Sequence, residues 1–357
     1  MSIRVGVIGA SFAKAAYLPA LRYVPDAEVV AIASARIDSA RASAAAFGVP
    51  HAYDDWQTML REHAFDLVCI ATPTDAHAPM SLAALDAGAH VLCEKPTAMN
   101  VDEARAMRDR AAELGRVSMI GHELRFNPNR RTIAELVASG AIGEVRHAHI
   151  TNVTPGWADP TARPKGDWWS LAEHGGGRLG ANGSHQVDLL RWWFGEVEAI
   201  VAVVETMIPD RVDKATGEPW TATADDFVQM TLRQERSRHS DVLMSGVARH
   251  AMDNVTQIFG SEGTILLTNA DERLLIGAPG GEFEDISVDD PNAQLEGVGK
   301  GVWNVSFVAL MQELCAAVRE GRPIEDGATF EDGLRNQIVL DAAKRSHVER
   351  RWIDIGG

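Results

Sequence analysis

The first third of the chain alternates short, continuously hydrophobic runs with longer stretches in which hydrophobic residues recur at helical spacing. The runs, which predict strands, are RVGVIG, EVVAIAS, FDLVCIAT, HVLCEKP and RVSMIG. The stretches that predict helices cover residues 11–23, 37–47, 56–62, 78–87 and 101–114, the last with Asn100 as its N-cap. Strands without internal alternation are buried on both faces, so this order predicts a doubly wound parallel sheet with helices on each side.

Beyond Gly121 the pattern changes to longer segments in which hydrophobic and polar residues alternate. These segments are EVRHAHITNV, EAIVAVVETMI, DDFVQMTLRQ, DVLMSGVARH, TQIFGSEGTILLT and RLLIGAP. Further helices are predicted at 129–139, 184–194, 303–319 and 330–346. Such alternation is typical of strands joined by hairpins, and it predicts an α+β domain on a large, open, mainly antiparallel sheet.

The two patterns divide the chain into a domain at 1–122 and a second domain at 123–357. A chain of 357 residues is long enough for two separate cores. The pattern leaves open to which domain the last helix and the segment WIDI belong. The loop at 209–220, rich in charge, glycine and proline, is predicted to be a mobile flap.

Composition narrows the possible partners. A formal net charge of -16 argues against nucleic-acid binding, which needs a basic surface. No apolar run approaches the roughly 20 residues that cross a bilayer, and the first residues predict a strand and not a signal peptide. Cys69, Cys93 and Cys315 lack a paired spacing, so neither a metal site nor a disulfide framework is expected. A reducing cytoplasm is the expected location.

The strand RVGVI is followed by a turn and a helix, where a GxGxxG dinucleotide fingerprint belongs. Gly9 occupies the first glycine position, while Ser11 and Lys14 replace the second and third. A serine hydroxyl can join the hydrogen bonds to a diphosphate, and the N–H groups of a helix start add positive potential. We therefore predict a dinucleotide site that includes Gly9, Ser11, Phe12 and Ala13; a purely structural turn is the alternative.

The end of the second predicted strand bears on the choice between NAD and NADP. An acidic residue there binds the free 2′-hydroxyl of the adenosine ribose. This chain has Ser34 instead, with Arg36 two residues later, and a hydroxyl with a guanidinium suits a 2′-phosphate better than a diol. Asp38 is interpreted as a helix N-cap. The cofactor prediction is NAD(P), with NADP favoured.

Two further segments indicate redox chemistry. Glu94, Lys95 and Pro96 end the run AHVLC, and the glycine-rich segment 175–188, GGGRLGANGSHQVD, contains His185. Oxidising a secondary alcohol needs a base for the hydroxyl proton and a cation that stabilises the alkoxide. We predict that Lys95, beside a nicotinamide ring, is the cation and that His185, across a cleft from it, is the base or polarising donor. The alternatives are a surface lysine before a turn and a satisfied core histidine.

The surroundings of His185 support this interpretation. His185 is the second residue of the predicted helix 184–194, whose positive end favours a neutral imidazole. Asp188, one turn later, shares its helix face and is expected to orient the ring. The residues expected to contact the substrate are Arg125, Trp168, Asn182 and His185. A tryptophan can stack on a sugar, although the pair Trp168–Trp169 is at least as typical of a core.

Several strings along nearly the whole chain resemble those of the Gfo/Idh/MocA family of sugar and polyol oxidoreductases. The strings are VGVIG with LPAL, ATPTDAH, EKP, RFNP, SGAIGEV, GGGRL, GSHQVDLLRWWFG and FGSEGTI. The resemblance implies an N-terminal Rossmann domain and a C-terminal α/β domain. It also implies that the open C-terminal sheet mediates a homodimer or homotetramer.

The same resemblance implies roles for the loops after the predicted strands. The residues that would line the cofactor are Thr72, Pro73, His77, Glu94 and Lys95. Lys95 would contact both the nicotinamide ribose and the substrate hydroxyl. Because members of the family bend the chain at this point, we predict a cis peptide bond between Lys95 and Pro96.

The chain departs from the family pattern at one catalytic position. The family segment GGGxLxDxGxHxxD contains an aspartate and a histidine that complete a Lys-Asp-His group. His185 and Asp188 are present here, but Ala181 occupies the position of the catalytic aspartate. The departure bears on the chemistry and not on the fold.

These features predict an NAD(P)-dependent oxidoreductase that transfers a hydride to or from a secondary alcohol or ketone of a sugar, inositol or related polyol. The alternative from another class is a non-catalytic NAD(P)-binding regulatory protein of the same fold. Ala181 and the altered glycine loop suit that alternative, whereas Lys95 and His185 argue against it. An enzyme acting on a non-sugar hydroxy compound or an imine stays open.

Overall fold

The computed structural model describes residues 2–252, 254–268 and 271–355. The chain forms two compact units. The first consists of Met1–Asn127 and Asp290–Leu334, and the second of Pro128–Asp289 and Arg335–Gly357.

The secondary structure follows in chain order. The strands are β1 (Ile3–Ile8), β2 (Ala27–Ala33), β3 (His51–Tyr53), β4 (Leu67–Ile70), β5 (His90–Cys93), β6 (Ser118–Ile120), β7 (Val145–Val153), β8 (Val197–Glu205), β9 (Asp210–Val212), β10 (Pro219–Thr221), β11 (Phe227–Gln234), β12 (Ser237–Ser245), β13 (Val255–Gly260), β14 (Thr264–Thr268), β15 (Arg273–Gly277), β16 (Phe283–Asp285), β17 (Ala328–Thr329) and β18 (Ile353–Asp354). The α-helices are α1 (Ser11–Ala15), α2 (Tyr17–Leu21), α3 (Ile37–Phe47), α4 (Trp56–Glu62), α5 (His77–Asp86), α6 (Val101–Glu113), α7 (Pro128–Ala138), α8 (Ser184–Phe194), α9 (Val302–Glu320) and α10 (Phe330–Glu349). Short 3-10 turns occupy Thr74–Ala76, Glu123–Phe126, Trp168–Ser170 and Ala172–His174, and a π-helical turn occupies Leu179–Gly183.

The sheet of the first unit has the order β17-β6-β5-β4-β1-β2-β3 within the described residues. All its pairs are parallel except β17–β6. The central strand β4 is entirely buried, and β1 is buried except at Arg4, as their mainly hydrophobic runs require. The predicted doubly wound parallel sheet is confirmed. The carboxyl ends of β1, β4 and β5 therefore open at one edge of the sheet.

The first unit includes residues 290–334, which the sequence analysis assigned to the C-terminal domain. The reason is α9, whose buried side chains Phe307, Met311 and Leu314 join one hydrophobic core with Tyr17 and Leu92. The strand β17 then pairs with β6 at the edge of the sheet. Such long-range packing is invisible in local sequence patterns.

The helices of the first unit follow the predicted segments, with one exception. Asn100 accepts a hydrogen bond from the Glu103 N–H, so the predicted N-cap of α6 is confirmed. The single helix predicted at 11–23 is wrong: it divides into α1 and α2 at Ala16, whose φ of -122° and ψ of -59° are not helical. The predicted N-cap role of Asp38 is also wrong, because Arg36 holds the N-cap of α3 and Asp38 lies in its first turn.

The second unit is built on a large sheet of order β16-β15-β14-β13-β7-β12-β11-β8-β18 within the described residues. The strands alternate between buried and exposed residues, as β11 shows along its length, and the predicted open, mainly antiparallel sheet is confirmed. One pair of strands in this sheet, β7 and β12, is parallel. The string TQIFGSEGTILLT forms two strands, β13 and β14, since a hairpin closes where the Gly260 N–H donates to the Gly263 carbonyl at 2.8 Å.

The segment predicted to be a flap, at 209–220, instead forms most of a β-hairpin. Strands β9 and β10 pair antiparallel, with Val212 opposite Pro219. Arg211 of β9 is 1% exposed, and its Nη2 lies 3.6 Å from the Asp226 carboxylate. This segment is anchored by a buried ion pair.

Within the described residues, no helix is long and apolar enough to cross a membrane.

Candidate functional site

The turn after β1 brings two backbones into close approach. Gly9 has a φ of 103°, a conformation that favours glycine. A Cβ at this position would lie 2.1 Å from the Ala71 carbonyl oxygen, so no side chain fits between the loops after β1 and β4. Gly9 is therefore required by the fold. No side chain caps the start of α1 in the described structure, which leaves backbone N–H groups at the sheet edge.

The residues of α1 divide between the surface and the core. Ser11 and Lys14 are exposed, whereas Ala13 is fully buried. The ring of Phe12 packs edge-on against Tyr17 and Phe307, with centroids 5.7 Å apart in both pairs. Ser11 therefore presents its side chain to solvent, and Ala13 can offer a ligand only its backbone.

Ser34 and Arg36 follow the carboxyl end of β2, as predicted from their position in the chain. Ser34 is half-buried, and its N–H donates to the Tyr53 carbonyl at 3.0 Å. Arg36 is exposed, and its side chain makes no cap hydrogen bond at the start of α3. The guanidinium is thus accessible beside the adenosine end of a dinucleotide fold.

His77 links the loops that follow β4 and β5. Its Nδ1 lies 2.9 Å from the Pro96 carbonyl and its Nε2 lies 3.0 Å from the Thr72 carbonyl. Burial lowers the pKa of His77, while the two carbonyls act in the opposite direction. Because both ring nitrogens face the protein backbone, His77 acts on these loops by holding them together. Thr72 and Pro73 remain half-buried at the loop surface.

Glu94 and Lys95 form a largely buried pair at the carboxyl end of β5. The Lys95 Nζ lies 3.8 Å from Glu94 Oε2, and the Lys95 side chain is 12% exposed. Glu94 also accepts a 2.7 Å hydrogen bond from the Tyr17 hydroxyl at Oε1. Burial raises the pKa of Glu94, and Lys95 and Tyr17 oppose that rise. The predicted cis peptide bond between Lys95 and Pro96 is confirmed.

Arg125 is held by residues of its own unit. Its Nη1 donates to the Gly327 carbonyl at 3.1 Å, and its Nη2 pairs with Asp332 Oδ1 at 3.0 Å. The residue is 8% exposed. Arg125 therefore anchors the turn after β6 to the start of α10.

In the second unit, the glycine-rich segment packs closely against two neighbouring loops. A Cβ at Gly176 would lie 2.4 Å from the Trp168 carbonyl, and one at Gly177 would lie 2.2 Å from Asp225 Oδ1. The Asp225 carboxylate accepts the Leu179 N–H at 2.7 Å. These contacts place Asp225 at the start of the helical run, a role that the sequence analysis missed.

The helical run that carries His185 begins earlier than predicted. The π-helical turn Leu179–Gly183 leads directly into α8, and the Ser184 N–H donates to the Leu179 carbonyl. The first N–H groups and the positive end of the run therefore lie near Leu179, so the placement of His185 at that end was wrong. The predicted bounds of α8 are confirmed.

The side chains of this segment differ in exposure. His185 and Asp188 are both 1% exposed, whereas Ala181 and Asn182 are half-buried. The Ser184 carbonyl accepts a 2.7 Å hydrogen bond from Asn336 Nδ2, which fixes the start of α8 against α10. His185 and Asp188 thus lie on a helix that is braced on its backbone.

Trp168 is part of an aromatic pair. Its ring lies 4.5 Å from that of Trp169, with an angle of 31° between the planes. Both tryptophans are half-buried in the second unit.

Across the described residues, no group of three or more His, Cys, Asp or Glu side chains could hold a metal ion.

Comparison with known proteins gives two family matches. Residues 3–122 match the model described as "Oxidoreductase family, NAD-binding Rossmann fold". Residues 130–266 match the model of the GFO/IDH/MocA C-terminal domain.

Similar proteins span the whole chain. Levoglucosan dehydrogenase of Pseudarthrobacter phenanthrenivorans is 26% identical over 99% of this chain and 98% of its own. Inositol 2-dehydrogenase of Rhizobium meliloti is 26% identical over 99% of this chain and 100% of its own. A structure of levoglucosan dehydrogenase in complex with NADH and levoglucosan superposes with a TM-score of 0.88 at 26% identity, over 99% of both chains.

Proposed function

The chain belongs to the Gfo/Idh/MocA oxidoreductase family, and from this premise we propose that it transfers a hydride between NAD(P) and a CH–OH group of a sugar, inositol or related polyol. The observation that carries the proposal is the buried Glu94–Lys95 pair at the carboxyl end of β5. Parallel sheets bind their ligands at this edge. Related proteins act on levoglucosan and inositol, as their names state.

The residues at this edge suit a dinucleotide. Gly9 lets the loops after β1 and β4 meet at this edge, and α1 begins there without a side-chain cap. The residues that we propose hold the cofactor are Gly9, Ser11, Phe12, Ala13, Ser34, Arg36, Thr72, Pro73, His77, Glu94 and Lys95. A nicotinamide supplies the site with a two-electron hydride acceptor or donor. Among these residues, Ala13 contributes backbone and His77 positions the two loops.

We assign the chemical roles to Lys95 and His185. The Lys95 ammonium stabilises the negative charge that develops on the substrate oxygen, and Glu94 restrains it. His185 takes the hydroxyl proton during oxidation and returns it during reduction, with Asp188 as the group that orients its ring. Trp168 and Asn182, both half-buried, contact the substrate. Arg125, whose guanidinium is paired with Asp332, also contacts the substrate.

The finer cofactor preference is for NADP. Ser34 supplies a hydroxyl where NAD-specific folds have an acid, and Arg36 is exposed beside it. A guanidinium pairs with a phosphate through short, charge-assisted hydrogen bonds. The combination therefore favours the 2′-phosphate.

The domain roles and assembly follow the same premise. Residues 1–122 bind the cofactor, and 123–357 carry substrate recognition and association into a homodimer or homotetramer. The face of the large sheet opposite its buried residues is the surface for association, because β11 alternates along its whole length. Cys69, Cys93 and Cys315 are buried free thiols, which suits work in the reducing cytoplasm.

Turnover with a substrate panel tests the proposal. The purified protein is incubated with NAD or NADP and with inositol, hexoses, alditols and sugar acids, and formation of the reduced nicotinamide is followed by its absorbance. We expect turnover with members of the panel and a loss of about 10²-fold or more in turnover for Lys95→Ala. If the wild-type protein binds the cofactor and turns over none of them, the non-catalytic regulatory role takes the place of this proposal.

A further inference from the structure

Three arginines of the second unit form a group that the mechanism above does not use. We call Arg163, Arg178 and Arg211 the arginine cluster. Burial lowers the pKa of both Arg178 and Arg211; the charges of Asp225 and Asp226 oppose this at Arg178 and Arg211 respectively, and the charge of Arg163 lowers both pKa values further. Arg163 lies 5.2 Å over the Trp157 ring, and Arg211 donates to the carbonyl of the same tryptophan.

Unlike the buried arginines Arg191 and Arg130, Arg178 has no carboxylate within ion-pair distance among the described residues. Arg191 pairs with Glu196 through hydrogen bonds of 3.0 and 2.6 Å, and Arg130 pairs with Glu272 at 2.7 Å. Arg178, which is 9% exposed, makes one side-chain hydrogen bond in the described structure, from Nη2 to Asn152 Oδ1. Its Nε is sealed from solvent without an acceptor. A buried cation without a paired charge is costly, and a bound anion would remove that cost.

The two carboxylates of this region, Asp225 and Asp226, accept backbone N–H groups, and Asp226 also forms the buried ion pair with Arg211. Asp226 accepts the N–H groups of Met207 and Ile208 at 2.7 and 3.0 Å. Asp225 accepts the Leu179 N–H at its carboxylate and the Arg178 N–H at its backbone carbonyl, at 2.9 Å, and its charge opposes the effect of burial on the Arg178 pKa. Arg211 adds two more nitrogens, Nε and Nη2, that are buried without a hydrogen-bond acceptor. The cluster is thus short of acceptors for its buried donors.

The position of Arg178 relates the cluster to the candidate site of this unit. Arg178 is the N-cap of the π-helical turn that contains Ala181 and continues into the helix of His185. An aspartate at 181 would place a negative charge three residues from Arg178 and repel an anionic ligand. Alanine at 181 removes both that charge and its volume.

We propose that Arg178 anchors a subsite for a substrate carboxylate, so that the enzyme acts on a sugar acid, an aldonate or a uronate, in preference to an uncharged polyol. This inference rests on the proposed oxidoreductase function. Arg163 and Arg211 supply the surrounding positive potential, and Asn152 holds the guanidinium in place. The hydroxyl that is oxidised lies elsewhere on the same sugar acid.

The test compares matched acidic and neutral substrates. We measure kcat/KM for gluconate against sorbitol and for glucuronate against glucose, in the wild type, Arg178→Gln and Arg178→Lys. The wild type should prefer the acids, and Arg178→Gln should lower the acid-to-neutral ratio by at least about tenfold, with Arg178→Lys between them. Arg191→Gln, which removes a paired buried arginine of the same unit, should leave that ratio unchanged.

The outcomes separate this inference from the proposed function. The carboxylate subsite is overturned if the enzyme uses the neutral substrates as well as or better than the acids, or if it prefers glucose 6-phosphate over glucuronate. Either result leaves the proposed oxidoreductase function in place. If no substrate is turned over, the proposed function fails, and the subsite is tested by thermal stabilisation. Gluconate and glucuronate should then raise the melting temperature of the wild type with NADPH, and sorbitol and glucose should not. Equal stabilisation by both classes, or none, overturns the subsite.

Discussion

The Tyr17 hydroxyl donates a 2.7 Å hydrogen bond to Glu94 Oε1, and both residues are buried in the first unit. Burial raises the pKa of Tyr17 well above 10.0, and the charge of Glu94 raises it further, so the phenol keeps its proton. Glu94 in turn lies beside Lys95. Helix α2, the second helix after the glycine turn, is thereby joined to the lysine at the carboxyl end of β5. Tyr17, in the string YLPAL, makes this link, and no sequence motif predicted it.

Removal of this hydroxyl should destabilise the protein. Tyr17→Phe leaves a buried carboxylate with one donor fewer, and we expect a loss of about 1.5–3 kcal/mol in the free energy of unfolding. Tyr23→Phe is the matched control, because the Tyr23 hydroxyl donates to the Glu296 carbonyl, a neutral acceptor at a more exposed site. Urea unfolding measures both. An equal or smaller loss for Tyr17→Phe contradicts the role of this bond.

The sequence predicted those parts of the fold that depend on local pattern. The strands β1, β4 and β5 are mainly hydrophobic runs, and Asn100 caps α6 through the N–H of Glu103, three residues later. The break at Ala16 and the parallel pairing of β7 with β12 depend on tertiary packing, which a local pattern does not contain. The strands β3, β17 and β18 are only two or three residues long and escape periodicity for that reason.

The residues of the candidate site likewise divide into those that a local motif suggests and those that only the folded chain brings together. Gly9 and Lys95 belong to short motifs that follow strands, so the sequence alone suggests them as candidates. Tyr17 and Glu94 are 77 positions apart, and Leu179 and Asp225 are 46 apart, so those contacts exist only in the folded chain. Arg178 was visible within GGGRL, yet only the structure shows that its Nε lacks an acceptor.

The cofactor preference is tested at Arg36. NADPH should bind more tightly than NADH, and Arg36→Ala should weaken NADPH by about 1–3 kcal/mol through loss of a charge-assisted contact, with little effect on NADH. Fluorescence titration gives both dissociation constants. Similar affinities for the two cofactors, unchanged by the substitution, contradict the NADP preference.

Asp225 should make stability depend on pH. Desolvation raises the pKa of its carboxyl from 3.8 to about 6, so folding favours the neutral acid and stability is lost as pH rises between these values. Asp225→Asn keeps an acceptor for the Leu179 N–H and carries no charge. Relative to the wild type, the variant should gain unfolding free energy from about pH 4 to about pH 6 and hold that gain at higher pH.

Asp213 provides the opposite control in the same unit. Backbone hydrogen bonds from Lys165 and Thr216 lower its pKa, so its charge stabilises the fold above the unfolded-state pKa. Asp213→Asn should therefore lose stability relative to the wild type as pH rises. Urea unfolding across the pH series tests both variants. The difference in unfolding free energy from the wild type should rise with pH for Asp225→Asn and fall for Asp213→Asn, and a change of the same sign in both variants contradicts these assignments.

Ala181 tests the consequence of the missing carboxylate. Ala181→Asp should lower the ratio of kcat/KM for glucuronate over glucose by about tenfold, since the new charge repels the substrate carboxylate and attracts Arg178. It should also raise activity on simple polyols. Ala181→Asn, similar in volume but uncharged, should change the ratio much less. If asparagine and aspartate act alike, volume and not charge controls the choice of substrate.

The central claim is that Lys95 and His185 perform the chemistry of hydride transfer on a bound substrate. The most direct measurement is the turnover number of Lys95→Ala and of His185→Ala with the best substrate of the panel, with cofactor affinity measured in parallel. Each variant should lose about 10²-fold or more in kcat and bind the cofactor nearly as the wild type does. Wild-type turnover in both variants would contradict the claim.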